Sequence, residues 1–328
     1  MTTRPRIFVT QPVAESALKR LRAVASVKVH ADSSKIVPKR ALIAALRKAD
    51  ILFCLLHDQI DRAVIAANPK LRAICAQSIT PSNIDVAAAT ARGIPVTCVP
   101  ALTTEATADM AFALMMAAGR RVVEADRGVR KGKFPGAQSR HFLGALVHGK
   151  TIGLVGGGGR IGKAVAKRAH GFSMRVLYWT PRRKPEAEER EAGLTYASLE
   201  DLLRESDFVS LHTPLNPKTR HQIAARELSL MKKSAFLINT ARGAIVDEKA
   251  LVRALKAGRI AGAGLDVFEH EPKVDAALKT MPNVVLAPHL GSAVPEVREP
   301  MANVVVDNIL AIVEGRQPPD CVNPEVFT

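Results

Sequence analysis

Thr151-Ile152-Gly153-Leu154-Val155-Gly156-Gly157-Gly158-Gly159-Arg160-Ile161-Gly162 decides the reading of this 328-residue chain. An apolar, β-type run leads into the glycines, and a helix-like stretch from Lys163 to Ala169 follows them. Gly157, Gly159 and Gly162 have the G-x-G-x-x-G spacing of a dinucleotide-binding turn. In such a turn, glycines let the backbone approach a pyrophosphate, which rests on the N-terminus of the following helix. The motif lies near mid-chain. A cofactor domain is therefore expected to be inserted into another domain, or to follow one.

Working outward, the hydrophobic pattern alternates between strand-like and helix-like segments. Toward the N-terminus it predicts strands at 7–10, 27–30, 51–55, 71–76 and 95–99, with helices at 15–25 and 39–49. This is a small parallel α/β unit. The alternation restarts at Thr151, with strands at 152–155, 175–179, 208–211, 235–239, 262–266 and 284–287. Helices at 199–204 and 248–257 fall between them, the latter capped by Asp247. Six strands with crossover helices suit a doubly wound sheet. Between the two units, 103–121 reads as a long Ala/Met-rich helix, with Thr104 as its N-cap. It is apolar on most sides and must be buried, as an inter-domain spine or at a subunit interface. Residues 130–146 read as an irregular connector and 301–314 as a last helix.

Composition narrows the function classes. The chain is 47% hydrophobic and 24% charged, as a folded soluble protein is. No apolar run reaches the ~18 residues of a membrane span, so no membrane partner is expected. The first strand starts at Ile7, which leaves no room for a signal peptide, and a cytoplasmic location is expected. Cys54, Cys75, Cys98 and Cys321 form no C-x-x-C pair and no metal-ligand spacing. They read as buried thiols, with no metal site. The net charge of +16 raises the question of nucleic acid. The basic residues are scattered, however, and aromatics are only 4%, so no nucleic-acid partner is expected. A basic surface that draws in small anions is the reading adopted.

The strand ending at Trp179 lies about 20 residues beyond the glycines, where an NAD site carries an acid for the ribose hydroxyls. Here the sequence is Thr180-Pro181-Arg182-Arg183-Lys184, with no carboxylate until Glu186. A carboxylate would repel a 2′-phosphate, whereas guanidinium groups match its oxygens in a forked geometry. NADP(H) is therefore expected in preference to NAD(H).

Three charged residues follow successive strand-like segments: Arg242, Glu271 and His289. Open α/β sheets bind ligands at the strand carboxyl ends. Reduction of a 2-oxo acid needs these residue types. An arginine holds the carboxylate and polarises the carbonyl. A histidine delivers the proton, and a neighbouring carboxylate orients the imidazole and raises its pKa.

With these residues the chain resembles the D-2-hydroxyacid dehydrogenase family, in its glyoxylate/hydroxypyruvate reductase branch. The matching segments are Thr107-Ala108-Asp109, the GGGRIG loop, Asn239-Thr240-Ala241-Arg242-Gly243, the run from Gly264 to Pro272, and Pro288-His289-Leu290-Gly291-Ser292. The resemblance implies two Rossmann-like domains with doubly wound parallel sheets. The NAD(P)-binding domain, 101–293, is inserted into a smaller flavodoxin-like substrate-binding domain, 1–100 and 294–328. It also implies NAD(P)H-dependent reduction of a 2-oxo acid to the D-2-hydroxy acid. In that reaction Arg242 is the substrate anchor, Glu271 the partner of the histidine, and His289 the proton donor.

Cofactor contacts are implied at Gly157, Gly158, Gly159, Arg160, Ile161 and Gly162 in the loop. Thr180, Pro181, Arg182 and Arg183 follow at the next strand end. Thr107 and Asp266 lie near the nicotinamide, and His212, Thr213 and Pro214 line the adenosine side. Thr219, Thr240, Ala241 and Gly291 complete the set. A homodimer through the 103–121 helix region is implied as well. Glu269 is read as the wrong carboxylate, His270 as a surface residue, and His57 as a strand-end residue.

Two departures from the family pattern stand out. Gly156 is one glycine more than usual, and a local bulge at the strand end is expected. The substrate loop reads Gln77-Ser78-Ile79-Thr80-Pro81, with threonine where glycine is common and a proline that lacks a donor. A reshaped pocket, with a preference away from glyoxylate toward a bulkier 2-oxo acid, is the hypothesis drawn from it. Two other readings stay open: a dinucleotide-sensing regulatory or corepressor-like protein of the same fold, and a hydride-transfer enzyme for another small oxyanion or imine.

Overall fold

The computed structural model describes residues 4–328, which form two compact units. One consists of the chain up to Leu102 together with Val294–Thr328; the other is Thr103–Ala293.

The smaller unit is a five-stranded parallel sheet of β1 (Arg6–Val9), β2 (Ser26–Val29), β3 (Ile51–Leu55), β4 (Ala73–Gln77) and β5 (Val96–Thr97). Its strand order is β2-β1-β3-β4-β5, the flavodoxin-like order. The central strands are buried on both faces, which is why they read as continuous apolar runs. Along β3, Ile51 and Phe53 pack with Leu18, Leu21, Val305 and Ile309 on one face. Leu52 and Cys54 pack with Leu42, Leu46 and Ile74 on the other. The C-terminal helix, Pro295–Val313, starts six residues earlier than the pattern predicts and carries Pro300 inside it. The tail closes the sheet edge. Asn323 accepts from Val96 N (2.7 Å) and donates to Ile94 O (3.0 Å), so burial of this amide is matched by hydrogen bonds. Cys54, Cys75 and Cys98 are buried thiols. Burial pushes Cys75 up to about 12 and Cys98 up to about 11, so neither is a nucleophile.

The larger unit is a seven-stranded parallel sheet. Its strands are β6 (Thr151–Val155), β7 (Arg175–Trp179), β8 (Thr195–Tyr196), β9 (Phe208–Leu211), β10 (Phe236–Asn239), β11 (Gly262–Leu265) and β12 (Val284–Leu286). The order is β12-β11-β10-β9-β6-β7-β8, so the winding direction reverses between β6 and β9. Six of the seven strands are those expected. The two-residue β8 has too little sequence to show a period.

The helix Thr104–Gly119 begins on Thr103, whose side chain makes no capping bond; Thr104 is inside the helix and is not its cap. Ala108, Ala111, Phe112, Leu114, Met115 and Ala118 are packed in the core of this same unit. The burial predicted for this helix is therefore satisfied within the unit, which removes the reason for placing it at a subunit interface. The next segment carries several exposed apolar side chains: Val122, Val129, Phe134, Leu143 and Leu146. A short helix, Val122–Arg130, occupies the start of that segment, and none of its residues is buried.

Gly156 does not bulge β6. The strand keeps one-to-one register with β7 and β9 as far as Val155. Gly156 then turns the chain at φ +87°, and a Cβ there would lie 2.7 Å from the His212 carbonyl carbon and Thr213 N. The extra glycine is the left-handed exit of the strand, where the backbone after β9 leaves no room for a side chain.

At the end of β7 a buried clamp holds the turn that follows. Tyr178 Oη donates to Glu189 Oε1 (2.7 Å) and accepts from Lys184 N (2.8 Å). Arg183 Nε and Nη2 close on the two oxygens of Glu189 at 2.9 and 2.8 Å. The Arg183 guanidinium, then Tyr178, holds the Glu189 carboxyl down at about 2. A depressed carboxyl stabilises the fold fully above the ordinary value of about 4.3 and loses that contribution as pH falls toward 2. Glu189→Gln is therefore expected to lower the urea midpoint by a constant amount from about pH 8 to about pH 5, with the gap narrowing below about pH 4. Chemical denaturation across pH reads this, and no gap near neutrality would refute the clamp.

Candidate active site

A parallel sheet places the carboxyl ends of all its strands on one edge, and the crevice opens where the winding reverses. Here that is between β6 and β9. The helix Arg160–Gly171 begins there on Gly159, an N-cap with φ −82° and ψ 173° and no side chain to cap with. The first intrahelical donor is Lys163 N, to Gly159 O at 3.0 Å. The amides of Arg160, Ile161 and Gly162 are thus left for an anion. Gly162 packs directly on Gly157, since a Cβ on Gly162 would lie 2.5 Å from the Gly157 Cα. That contact brings helix and strand close, which is the role of the last glycine of the fingerprint. Thr240 Oγ1 and His212 Nδ1 are buried without a hydrogen-bond partner among the described residues. Both follow neighbouring strands in this crevice. A glycine cradle, unsatisfied helix amides and an orphaned hydroxyl fit a dinucleotide.

His212 is no base. Burial holds its imidazole down at about 4, so it is neutral, and Nε2 pairs with Ser210 Oγ at 2.9 Å. Thr213 Oγ1 reaches Gln222 Oε1 at 3.2 Å. Thr219 is occupied within its own turn, donating to Pro214 O (2.6 Å) and accepting from Asn216 N (2.8 Å). Its hydroxyl shapes the 214–219 loop.

The turn after β7 also departs from expectation. Two nitrogens of Arg183 are committed to Glu189, and its guanidinium lies 5.6 Å from the Tyr196 ring centroid. Arg183 thus clamps the turn to Glu189. Thr180 Oγ1 donates to Arg182 O (2.7 Å), and the side chains of Pro181 and Arg182 are exposed. Sequence reasoning missed Lys184. Its stem lies over the glycine loop, with Cγ and Cε each 2.9 Å from where a Cβ on Gly158 would be. Lys163 anchors Glu188 at 2.8 Å nearby, so that carboxylate is neutralised.

The charged constellation follows β10, β11 and β12. Asn239 is buried at the end of β10, donates to Arg242 O (3.0 Å) and accepts from Ala241 N (3.0 Å), folding the turn that presents Arg242. The guanidinium of Arg242 is half-buried. Its Nη1 donates to Ala241 O (2.7 Å), and among the described residues no carboxylate lies within ion-pair distance. Burial pulls its pKa down, against the field of Glu271.

His289 Nδ1 lies 2.9 Å from Glu271 Oε2, and Glu271 Oε1 accepts from Phe268 N at 3.0 Å. His289 itself sits at φ +59°, an unusual conformation for a side chain of this size. Asp266 holds it there. Its carbonyl accepts from His289 N (2.8 Å), and its carboxylate accepts from Leu290 N (2.6 Å) and Gly291 N (2.8 Å). Thr107 Oγ1 donates to Gly291 O at 3.1 Å. Burial raises the Asp266 carboxyl despite those donors. The anchoring roles of Asn239 and Asp266 follow from burial, which the sequence motifs do not display. His270 is exposed, as expected of it.

In the smaller unit, Gln77 and Ser78 are buried, Ile79 is half-buried and Thr80 is exposed. Ser78 Oγ donates to Thr80 O at 2.8 Å. The amides of Ile79 and Thr80 make no hydrogen bond among the described residues. Thr80 is absent from the positive-φ positions, so this loop has no need of glycine there. His57 belongs to this unit, after β3.

Among the described residues, no helix is long and apolar enough to cross a membrane. Residues 112–291 match the family model for the D-isomer specific 2-hydroxyacid dehydrogenase NAD binding domain. A glyoxylate reductase of Thermococcus litoralis is 47% identical over 99% of this chain and 98% of its own. One from Korarchaeum cryptofilum is 50% identical over 98% of this chain and 97% of its own. An NADPH-dependent glyoxylate/hydroxypyruvate reductase from Sinorhizobium meliloti, solved with NADP and malonate, superposes with a TM-score of 0.82 at 33% identity. That match covers 98% of each chain. With two parallel Rossmann-like sheets, a dinucleotide crevice and the Arg–Glu–His constellation in place, the chain belongs to the D-isomer specific 2-hydroxyacid dehydrogenase family, glyoxylate reductase branch, and is an NAD(P)-dependent oxidoreductase that reduces a 2-oxo acid.

Proposed function

We propose that the substrate is a small 2-oxo acid of the glyoxylate or hydroxypyruvate type, reduced by NADPH to the D-2-hydroxy acid. The observation that carries this is Arg242, a half-buried guanidinium with no carboxylate partner. Leaving a desolvated charge unpaired is costly, so the site favours an anion there. A planar fork of donors suits a carboxylate. In this reading Arg242 holds the substrate carboxylate and polarises the adjacent carbonyl. Glu271 engages Nδ1 of His289, which assigns the transferred proton to Nε2. The bound dinucleotide supplies the hydride. His289 delivers its proton to the carbonyl oxygen as the hydride reaches carbon. The unpaired amides of Ile79 and Thr80 are donors of the kind a carboxylate accepts from, which weakens the case that the Pro81 loop turns the enzyme from glyoxylate toward bulkier acids.

The pyrophosphate is assigned to the loop from Gly157 to Gly162 and the amides of Arg160 to Gly162. Thr213, Pro214, Thr240, Ala241, Thr107, Asp266 and Gly291 border the rest of the cofactor. Preference for NADPH rests on Thr180, Arg182 and Lys184 with no unpaired carboxylate among them. A homodimer through the exposed apolar side chains of 122–146 is proposed in place of one through the preceding helix. The smaller unit would be the substrate-binding domain and the larger the cofactor domain.

Steady-state assays should show kcat/KM higher with NADPH than with NADH, and Arg182→Ala should cost NADPH about tenfold while sparing NADH. A preference for NADH would overturn that assignment. His289→Ala is expected to lower kcat by about 10²–10⁴-fold and Arg242→Ala to lower kcat/KM by about 10²–10³-fold, with folding and NADPH affinity retained. Wild-type turnover in either variant would remove the mechanism, and no turnover in the wild type would favour a sensing role. Sedimentation should give a dimer that Phe134→Asp dissociates; a monomeric wild type contradicts the interface.

A further inference from the structure

Glu269 lies one residue outside the catalytic constellation, and nothing above gives it a role. Its side chain is 8% exposed. Oε1 accepts from Arg220 Nη2 at 2.8 Å and lies 2.7 Å from His221 Nε2. Oε2 accepts from Glu248 N at 3.4 Å, and Glu269 N returns a hydrogen bond to Glu248 Oε2 at 3.0 Å. A surface loop residue has no need of four such contacts. Burial raises the Glu269 carboxyl, but the His221 hydrogen bond, the Glu248 amide and Arg220 together carry it below the usual carboxylate range, so it is charged.

This carboxylate ties residue 269 to Arg220, His221 and Glu248, and two elements of the site rest on the adjoining backbone of Phe268. Phe268 N holds Glu271 Oε1. On the other side Gly243, immediately after Arg242, packs so closely that a Cβ there would fall 1.9 Å from the Phe268 carbonyl carbon. Glycine is obligatory at that contact because no larger residue fits. The segment bearing Arg220 and His221 is tied to the same place. His221 N donates to Ala244 O (2.8 Å) and Ile223 N to Ile245 O (3.0 Å) in the turn that follows Arg242. His221 is held at φ +54°, a conformation that persists only where its surroundings enforce it. Three segments, at 220–223, 242–245 and 268–271, are therefore cross-braced through one buried carboxylate.

We propose that Glu269, braced by Arg220 and His221, is a positioning residue that holds the backbone of Phe268, and through it sets Glu271 against His289 and Gly243 with Arg242 against the Phe268 carbonyl. It touches no reacting atom and acts through Glu271. The proposal rests on the reading of Glu271 as the partner of His289, and a double-mutant cycle separates the two. Glu269→Gln is nearly isosteric and keeps one acceptor. Alone it is expected to lower kcat for glyoxylate reduction about tenfold, with the NADPH dissociation constant unchanged. Placed on Glu271→Gln, the same substitution should lower kcat by less than about twofold, because the group it acts through is already lost. A full additional tenfold loss on that background would overturn the proposal, as would a loss confined to NADPH affinity. Wild-type kcat in Glu271→Gln would instead overturn the reading of Glu271 beneath it. Should Glu269→Gln not fold, Arg220→Gln with His221→Gln removes the brace from its exposed side, and the same non-additivity with Glu271→Gln is required.

Discussion

Every strand of the larger sheet runs the same way, so every strand ends on the same edge. That constraint brings the glycine loop after β6, the basic turn after β7, His212 after β9, Arg242 after β10, Asp266 after β11 and His289 after β12 to one side of the unit. Residues more than a hundred positions apart in the chain become neighbours along the edge without any special contact to draw them together. The reversal of winding between β6 and β9 then opens the crevice. The uncapped helix at Gly159 makes that crevice electropositive even before a lysine or arginine is counted.

The site is held by buried polar groups, and few of them belong to its chemistry. Asn239 shapes the Arg242 turn, Asp266 holds the His289 loop, Glu189 clamps the turn after β7, and Glu269 braces the peptide between two catalytic segments. Each is a buried group whose own hydrogen bonds tie separate segments together. The physical reason is common to all: in a low-dielectric interior an unpaired donor is costly, so a fully connected network specifies one arrangement of the loops. Arg242 is the exception, with a guanidinium that has no carboxylate within ion-pair distance among the described residues.

Much of this was legible in the sequence. The alternation of apolar and helical segments located eleven of the twelve strands, and the glycine spacing located the crevice. Arg242, Glu271 and His289 were singled out because each follows a strand and each residue type suits a distinct chemical task. Arg183 and Thr219 carry the functional groups that the motif calls for, and the structure shows those groups bonded to Glu189 and to Pro214 and Asn216 as well. A motif records which groups are available, and only three-dimensional neighbours decide which of them are already engaged. Glu269 was set aside for the converse reason, since its value lies in neighbours 21 and 48 positions away. The Ala/Met-rich helix was rightly expected to be buried, but sequence has no means of saying against what. Its partner is the sheet of its own unit.

The sequence by itself determined the parallel α/β architecture, the position of the glycine turn and the candidates for acid–base chemistry, because these depend on local periodicity, glycine geometry and side-chain chemistry. Tertiary structure alone decided the rest. It made Gly156 a left-handed strand exit rather than a bulge, turned Arg183 to a clamp and Lys184 to the glycine loop, and set Glu269 as the brace behind Glu271. Those outcomes depend on which backbone atoms lie within about 3 Å of one another across distant segments, and packing fixes such distances where local sequence does not.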